Sequence, residues 1–289
     1  MMTSDIDVVI YSYKGKLLKD VIGSVFANSS GTRNIHLTLI DQNPIVRENL
    51  FTEFPNFTYR YIFWDSQKSP LIYKKDVISK SRAKYILILG DNILLNKNWD
   101  EELTGFINNK NIIISGNKKI SISQESLFYL TKDFEDSEDF TLTNFVDKDF
   151  VFLNKDTLNS FEYPDYLKYN GESEALSLDI FTSGIDTYCS PSNIFSKIGS
   201  STIEELYVPF SINHNYNEVI NLFHHESNSF ISLLNKPRSV LDFIIFHSID
   251  ASMINKLPFQ TNDVEYDPED MNFNAVDARR FVARTKAIH

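Results

Sequence analysis

The hydrophobic pattern of the first hundred residues alternates between two periods. Asp7-Val8-Val9-Ile10-Tyr11-Ser12 is a short, β-branched apolar run that predicts a buried strand. From Leu17 to Ala27, apolar residues recur three and four apart (Leu17, Leu18, Val21, Ile22, Val25, Phe26), which predicts a helix. Asn34-Ile35-His36-Leu37-Thr38-Leu39-Ile40 reads as a second strand, stopped by Asp41-Gln42-Asn43-Pro44. A short helix, a strand over Phe57–Phe63 and a helix over Pro70–Ser81 come next, and Lys84-Tyr85-Ile86-Leu87-Ile88-Leu89 is a near-continuous apolar strand. Strands without polar alternation, joined by helices, predict a sheet covered on both faces. Residues 111–154 read as strands and turns, with a solvated acidic loop at Asp133, Glu135, Asp136, Glu138 and Asp139. A helix over Glu172–Thr182 follows, the pattern turns helical beyond about Pro209, and the chain ends in a basic stretch, Arg279 to Lys286.

Composition narrows the class. At 289 residues the chain suits one large domain with a small appendage, divided here into residues 1–208 and a mainly helical extension over 209–289 packed on it. Hydrophobic residues at 42% and charged residues at 23% exclude a mainly disordered chain. The single cysteine, Cys189, can form no intramolecular disulfide and no zinc knuckle, which fits a reducing compartment. The N-terminus carries Asp5 and Asp7 where a signal peptide carries bases, and no run approaches the roughly 18 apolar residues of a membrane span. The expectation is a soluble cytoplasmic protein with no membrane partner. A net charge of −11 argues against broad, non-specific nucleic-acid binding. The many Phe, Tyr, Asn, Lys and Ile residues point to an AT-rich coding sequence.

In open α/β sheets, ligands bind outside the carboxyl ends of the strands. That directs attention to Ser12-Tyr13, Asp41-Gln42, Trp64-Asp65 and Gly90-Asp91-Asn92. The last cluster ends an apolar strand and is followed by Asn98-Trp99-Asp100 opening a helix. Asp91 and Asn92 offer oxygen ligands of the kind a hard cation needs, and Gly-Asp-Asn is equally ordinary turn chemistry. A second segment, Gly171-Glu172-Ser173-Glu174, sets acids at the start of the helix over 172–182, where the helix dipole favours them. Its glycine stop, Gly184, leads to Tyr188-Cys189-Ser190-Pro191.

The order of these pieces resembles the GT-A glycosyltransferases, especially the cytosolic N-acetylglucosaminyltransferases that modify hydroxyproline. That family has a strand ending in Asp-Ser-His or Asp-x-Asp, then Asn-Trp-Asp, then a Gly-Glu-Glu helix running into an aromatic-Thr-His-Gly-Tyr-Asp segment. Gly90-Asp91-Asn92, Asn98-Trp99-Asp100, Gly171-Glu172, Phe181-Thr182, Gly184, Asp186 and Ser190-Pro191 fit this order. The resemblance implies a Rossmann-like nucleotide-diphospho-sugar fold, a UDP-sugar donor and transfer to an acceptor hydroxyl on protein or glycan. It implies donor contacts from Ser12, Tyr13, Asp41, Lys74, Asp91, Asn92 and Lys197, and places Glu172, with Glu174 second, on the acceptor side. A divalent cation, Mn or Mg, would sit on Asp91 and Asn92, with His214 as a substitute ligand; His224 and His225 are further candidates.

The chain also departs from that pattern. Gly90 stands where the family has its first Asp, Asn92 is a neutral ligand, Lys74 replaces an Arg, and the family's late metal-ligand His falls near Ser196-Lys197. Lys74 and Lys197 then offer charge in place of metal. Two further readings stay open: a phage-type transferase acting on hydroxymethylated or glycosylated DNA bases, using the terminal basic stretch, and a non-catalytic nucleotide-sugar-binding relic.

Overall fold

The computed structural model describes residues 4–63, 70–116, 119–123, 126–131, 138–161, 163–164 and 172–198, with 237–238, 242–243 and 246 further along. The first strand, β1 (Ile6–Tyr13), leads to α1 (Leu18–Ala27) and β2 (Ile35–Asn43). A single 3-10 turn over Glu48–Leu50 stands where a short helix was expected, and β3 (Phe57–Phe63) follows. Then come α2 (Pro70–Lys80), β4 (Tyr85–Gly90), the short β5 (Ile93–Leu95) and α3 (Trp99–Ile107). The strand-rich stretch resolves into β6 (Ile112–Ser115), a hairpin of β7 (Lys119–Ser123) and β8 (Ser126–Thr131), β9 (Thr141–Leu142) and β10 (Phe150–Asn154). The last described elements in sequence are α4 (Glu172–Thr182), β11 (Asp186–Cys189) and β12 (Phe195–Lys197).

The main sheet has the order β3-β2-β1-β4-β10-β6-β11-β9. The pairs β3–β2, β2–β1, β1–β4 and β6–β11 are parallel, which needs crossover connections rather than hairpins. β10 runs against both its neighbours, β4 and β6. Its direction matters for function. Phe150, the first residue of β10, pairs with Leu89 near the end of β4, so the residues just before β10 arrive at the carboxyl ends of the parallel strands.

Two apolar layers explain why the strands lack polar alternation. Val9, Tyr11, Ile86 and Ile88 face a layer shared with Leu71, Val77 and Ile78 of α2 and Leu176, Leu178 and Ile180 of α4. Ile6, Val8, Ile10, Leu87 and Leu89 face the other, with Leu18, Val21, Ile22 and Val25 of α1 and Trp99, Leu103 and Ile107 of α3. Successive residues of one strand thus enter opposite cores, and both must be apolar. Among the described residues, no helix is long and apolar enough to cross a membrane.

Asn98-Trp99-Asp100 belongs to this packing. Trp99 is fully buried and its indole N–H donates to the Val25 carbonyl at 3.2 Å. Asp100 accepts from the backbone N–H and hydroxyl of Ser30 at 2.7 and 2.8 Å, and the Asn98 N–H donates to the Asn28 carbonyl at 2.7 Å. The motif fastens the start of α3 to the end of α1.

Of the region expected to form a helical extension, Pro237 lies against Gly184, and Arg238 donates to Asp186 at 2.6 Å and stacks over Phe181. Phe243 and Phe246 also meet the Phe181 ring. Apart from Asp242, the rest of 209–289, with the terminal basic stretch, lies outside the described residues.

Candidate functional site

β1 ends in a tight turn. Lys14 takes a left-handed backbone (φ 53°), and its N–H donates to the Gln42 carbonyl at 3.0 Å. The Ser12 hydroxyl donates to Asp91 Oδ2 at 2.9 Å and accepts from the Gly15 N–H at 3.1 Å. A Cβ at position 15 would collide with the Ser12 oxygen and stand 2.9 Å from Asp91 Oδ2, so only glycine lets the chain pass this close. Ser12 and Asp91, expected from sequence to share the donor site, are thus directly joined. Tyr13 is half-buried beside them, with the Lys14 ammonium 4.7 Å from its ring centroid.

Asp41 occupies a second strand end and is fully buried. Arg47 clamps it with two charge-assisted bonds, Nε to Oδ2 at 3.0 Å and Nη2 to Oδ1 at 2.6 Å, and also donates to the Gly15 carbonyl at 2.7 Å. The Tyr59 hydroxyl donates to Asp41 Oδ2 at 2.8 Å while accepting the Arg47 backbone N–H at 2.9 Å. Burial pushes the Tyr59 phenol up to about 12; the Arg47 N–H opposes this and the Asp41 carboxylate adds to it. Neither Arg47 nor Tyr59 stood out in the sequence, because each lies mid-segment without a motif.

Lys74 and Glu172 come together from α2 and the first turn of α4. Lys74 Nζ lies 3.0 Å from both carboxylate oxygens, and the Tyr163 hydroxyl donates to Oε1 at 2.6 Å. The Lys74 and Glu172 side chains are 7% and 3% exposed. The sequence reading set Lys74 by the diphosphate and Glu172 on the acceptor side; the fold makes them a buried ion pair. Both Glu172 oxygens already accept hydrogen bonds, which holds the carboxylate in place. Glu174 is half-buried on α4.

The largest addition is Asp147-Lys148-Asp149, delivered by the reversed direction of β10. The Gly90 N–H donates to the Asp149 carbonyl at 2.7 Å. A Cβ on Gly90 would stand 3.0 Å from the Asp149 Cβ and 3.3 Å from Asn92 Oδ1. Asp149 therefore fills the space that a side chain at position 90 would enter. Lys148 Nζ donates to Asp149 Oδ1 at 2.7 Å, and Lys197 Nζ lies 3.9 Å from Oδ2. Lys197 gets there through β12, which pairs antiparallel with β5 and sets it opposite Ile93. Burial works against the Lys148 charge, but Asp149 in contact, with Glu172 and Asp147 close by, outweighs it and holds the ammonium well above its usual range. The loop is anchored from α4, where Ser177 and Ser173 hydroxyls accept the N–H groups of Val146 and Lys148 at 2.8 and 3.1 Å. The only sequence signal for it was a charged triplet immediately before an apolar run.

Of the carboxylate oxygens a divalent cation could use at this strand end, one on Asp91 is engaged by Ser12 and one on Asp149 by Lys148. Among the described residues, no group of three or more His, Cys, Asp or Glu side chains is placed to hold a metal. Asp91 accepts from Ser12, and Asp149 carries Lys148 on one oxygen with Lys197 near the other. An ion on Asp149 would face two ammonium groups. Unit charges 4 Å apart interact by about 4 kcal/mol at an effective dielectric of 20, and a divalent ion doubles that against each lysine. Trp64, Asp65, His214, His224 and His225 lie outside the described residues.

Comparison with known proteins yields structures and no sequence relatives. The chain matches no protein family, and no curated protein is similar to it in sequence. It is similar to the crystal structure of S. aureus TarS, with a TM-score of 0.58 and 11% identity over 93% of this chain and 46% of that one. It is also similar to GalNAc-T7, solved with UDP, GalNAc and Mn2+, with a TM-score of 0.60 and 13% identity over 85% of this chain and 55% of the other. The chain spans about half the length of each. The likeness shows the fold: this is the GT-A fold, as the resemblance in sequence implied.

Proposed function

We propose that the chain is a glycosyltransferase that binds a UDP-sugar across the carboxyl ends of β1, β2 and β4 and transfers the sugar to an acceptor hydroxyl. One observation carries this reading: on a GT-A sheet, the strand-end residues Ser12, Asp41 and Asp91 are buried, polar and individually fixed by named partners. Buried polar groups are costly unless satisfied, and this fold spends three of them at the place where open α/β sheets bind ligands. GalNAc-T7, of the same fold, was solved with UDP, which supports a uridine nucleotide.

In this proposal Ser12, Tyr13 and Asp41 frame the base and ribose, and Asp91 with Asn92 holds the ribose. Asp41, fully buried, acts from beneath the site by fixing the Arg47 guanidinium and the Tyr59 hydroxyl at the end of β2. Transfer leaves negative charge on the departing diphosphate, and positive side chains on its path stabilise it. Lys197 is placed for that task. Glu172, with Glu174 beyond it, lies on the acceptor side, where a fixed carboxylate accepts a hydrogen bond from the incoming hydroxyl. The acceptor is a protein or glycan hydroxyl; the charge of −11 disfavours a DNA duplex.

The test is calorimetric titration with UDP, followed by a UDP-release assay across a panel of UDP-sugars. Binding of UDP, a loss of at least tenfold in affinity for Asp91→Ala with its melting temperature little changed, and turnover of at least one UDP-sugar are expected. Failure to bind UDP, with manganese or without, removes the reading. Binding without turnover of any donor in the presence of candidate acceptors makes the chain a nucleotide-binding relic of the fold.

A further inference from the structure

The carboxylate that a metal-binding strand end would carry at position 90 has been moved to Asp149, and it arrives already bound to lysine. Position 90 is glycine, and the space beside it holds the Asp149 side chain. One Asp149 oxygen receives Lys148 at 2.7 Å, and Lys197 stands 3.9 Å from the other. The two lysines reach the carboxylate from separate elements, the loop before β10 and the strand β12, which itself pairs with the segment just after Asn92. Their side chains are 19% and 24% exposed, against 4% for the carboxylate between them. Lys74 is separate from this group, spent on both oxygens of Glu172.

We infer that Lys148 and Lys197, braced on Asp149, form the cationic subsite for the diphosphate of the nucleotide donor, which this chain binds without a divalent cation. The inference rests on the donor-site reading above and adds to it the residues that meet the phosphates. Asp149 is a positioning residue: it holds two ammonium groups at the end of β4, so that their geometry is set before the ligand arrives. Lysine suits this role as a compact charge with several donors, aimed at phosphate oxygens without needing the planar fork of arginine. Asp147 and Glu172 also act on Lys148, so what the two lysines offer an incoming anion is directed N–H donors rather than a surplus of charge. A diphosphate entering here gains donors from both lysines, whereas a nucleoside lacking phosphate gains nothing from them.

That difference gives the test. UDP and uridine are titrated into the full-length chain by calorimetry, in excess chelator and then with manganese, for the wild type, Lys148→Met and Lys197→Met, with melting curves recorded for each. The expected result is UDP affinity that chelation leaves unchanged. Each substitution lowers it at least tenfold, and uridine affinity stays the same. Lys197 is the less buried lysine and stands farther from Asp149, so Lys197→Met keeps the test decisive if Lys148→Met fails to fold. UDP binding that disappears on chelation, returns with manganese and is unaffected by Lys197→Met overturns the subsite and leaves the donor-site reading standing. Absence of UDP binding under both conditions removes the donor-site reading itself, and this inference with it.

Discussion

Replacing Lys74 by methionine tests whether its charge belongs to Glu172 or to a ligand. The ammonium lies 3.0 Å from both oxygens of a carboxylate that is 3% exposed. Methionine keeps much of the side chain's volume and removes the charge, leaving Glu172 with the Tyr163 hydroxyl and, among the described residues, no cation in contact. Removing one partner of a buried pair costs about 3–5 kcal/mol, because the remaining charge stays desolvated. For a chain of this size each kcal/mol moves the melting temperature by about 2–4 °C, so Lys74→Met should melt roughly 6–20 °C lower. Adding Glu172→Gln neutralises the orphaned carboxylate and should recover at least half of that loss, the two changes being coupled rather than additive. The assay is a thermal melt of wild type, both single variants and the double variant, with UDP titration at low temperature as the second readout. UDP affinity should be nearly unchanged in Lys74→Met. A variant that melts with the wild type but has lost UDP binding would refute this account and return Lys74 to the diphosphate.

Two other outcomes follow from local geometry. Asp7 is opposed by burial, but hydrogen bonds from His36, Ser4 and Ser81, with the attraction of His36, win and hold its carboxyl below the usual range. A depressed carboxylate stabilises the fold above its unfolded value near 4 and loses that contribution as pH falls through the folded value; Asp7→Asn should therefore melt below wild type at pH 7, with the gap closing below about pH 4. Gly90→Ala sets a methyl 3.0 Å from the Asp149 Cβ and should lower stability by about 1–3 kcal/mol, read as a shifted denaturation midpoint; an unshifted midpoint would show that β10 yields at this point.

Much of the sheet was legible because apolar runs report burial directly. The runs at Asp7–Ser12 and Lys84–Leu89 became β1 and β4 within a residue or two, and Phe57–Phe63 and Glu172–Thr182 kept their expected bounds. β2 was read too short. Asp41, Gln42 and Asn43 look like a stop, yet they continue the ladder against Tyr61, Ile62 and Phe63. The polar side chains there are satisfied by partners distant in sequence, Arg47 and Tyr59 for Asp41 and Tyr11 for Gln42. Long-range hydrogen bonding of that kind leaves no periodic trace. Asn98-Trp99-Asp100 shows the opposite case: it was noticed for its spacing, and its spacing serves the packing of α3 on α1.

Strand direction was the information that periodicity withheld. An apolar run such as Phe150–Leu153 reads the same whether its strand runs with or against its neighbours. Direction decides which end of the sheet receives the flanking charges. Had β10 run parallel to β4, Asp147-Lys148-Asp149 would lie at the end of the sheet away from Ser12 and Asp91. Because it runs antiparallel, those residues join Asp91 and Asn92 at the carboxyl end of β4. The same logic places Lys197, whose short strand turns back against β5. Gly90, which looked in sequence like the loss of a carboxylate, is the space into which another strand delivers one.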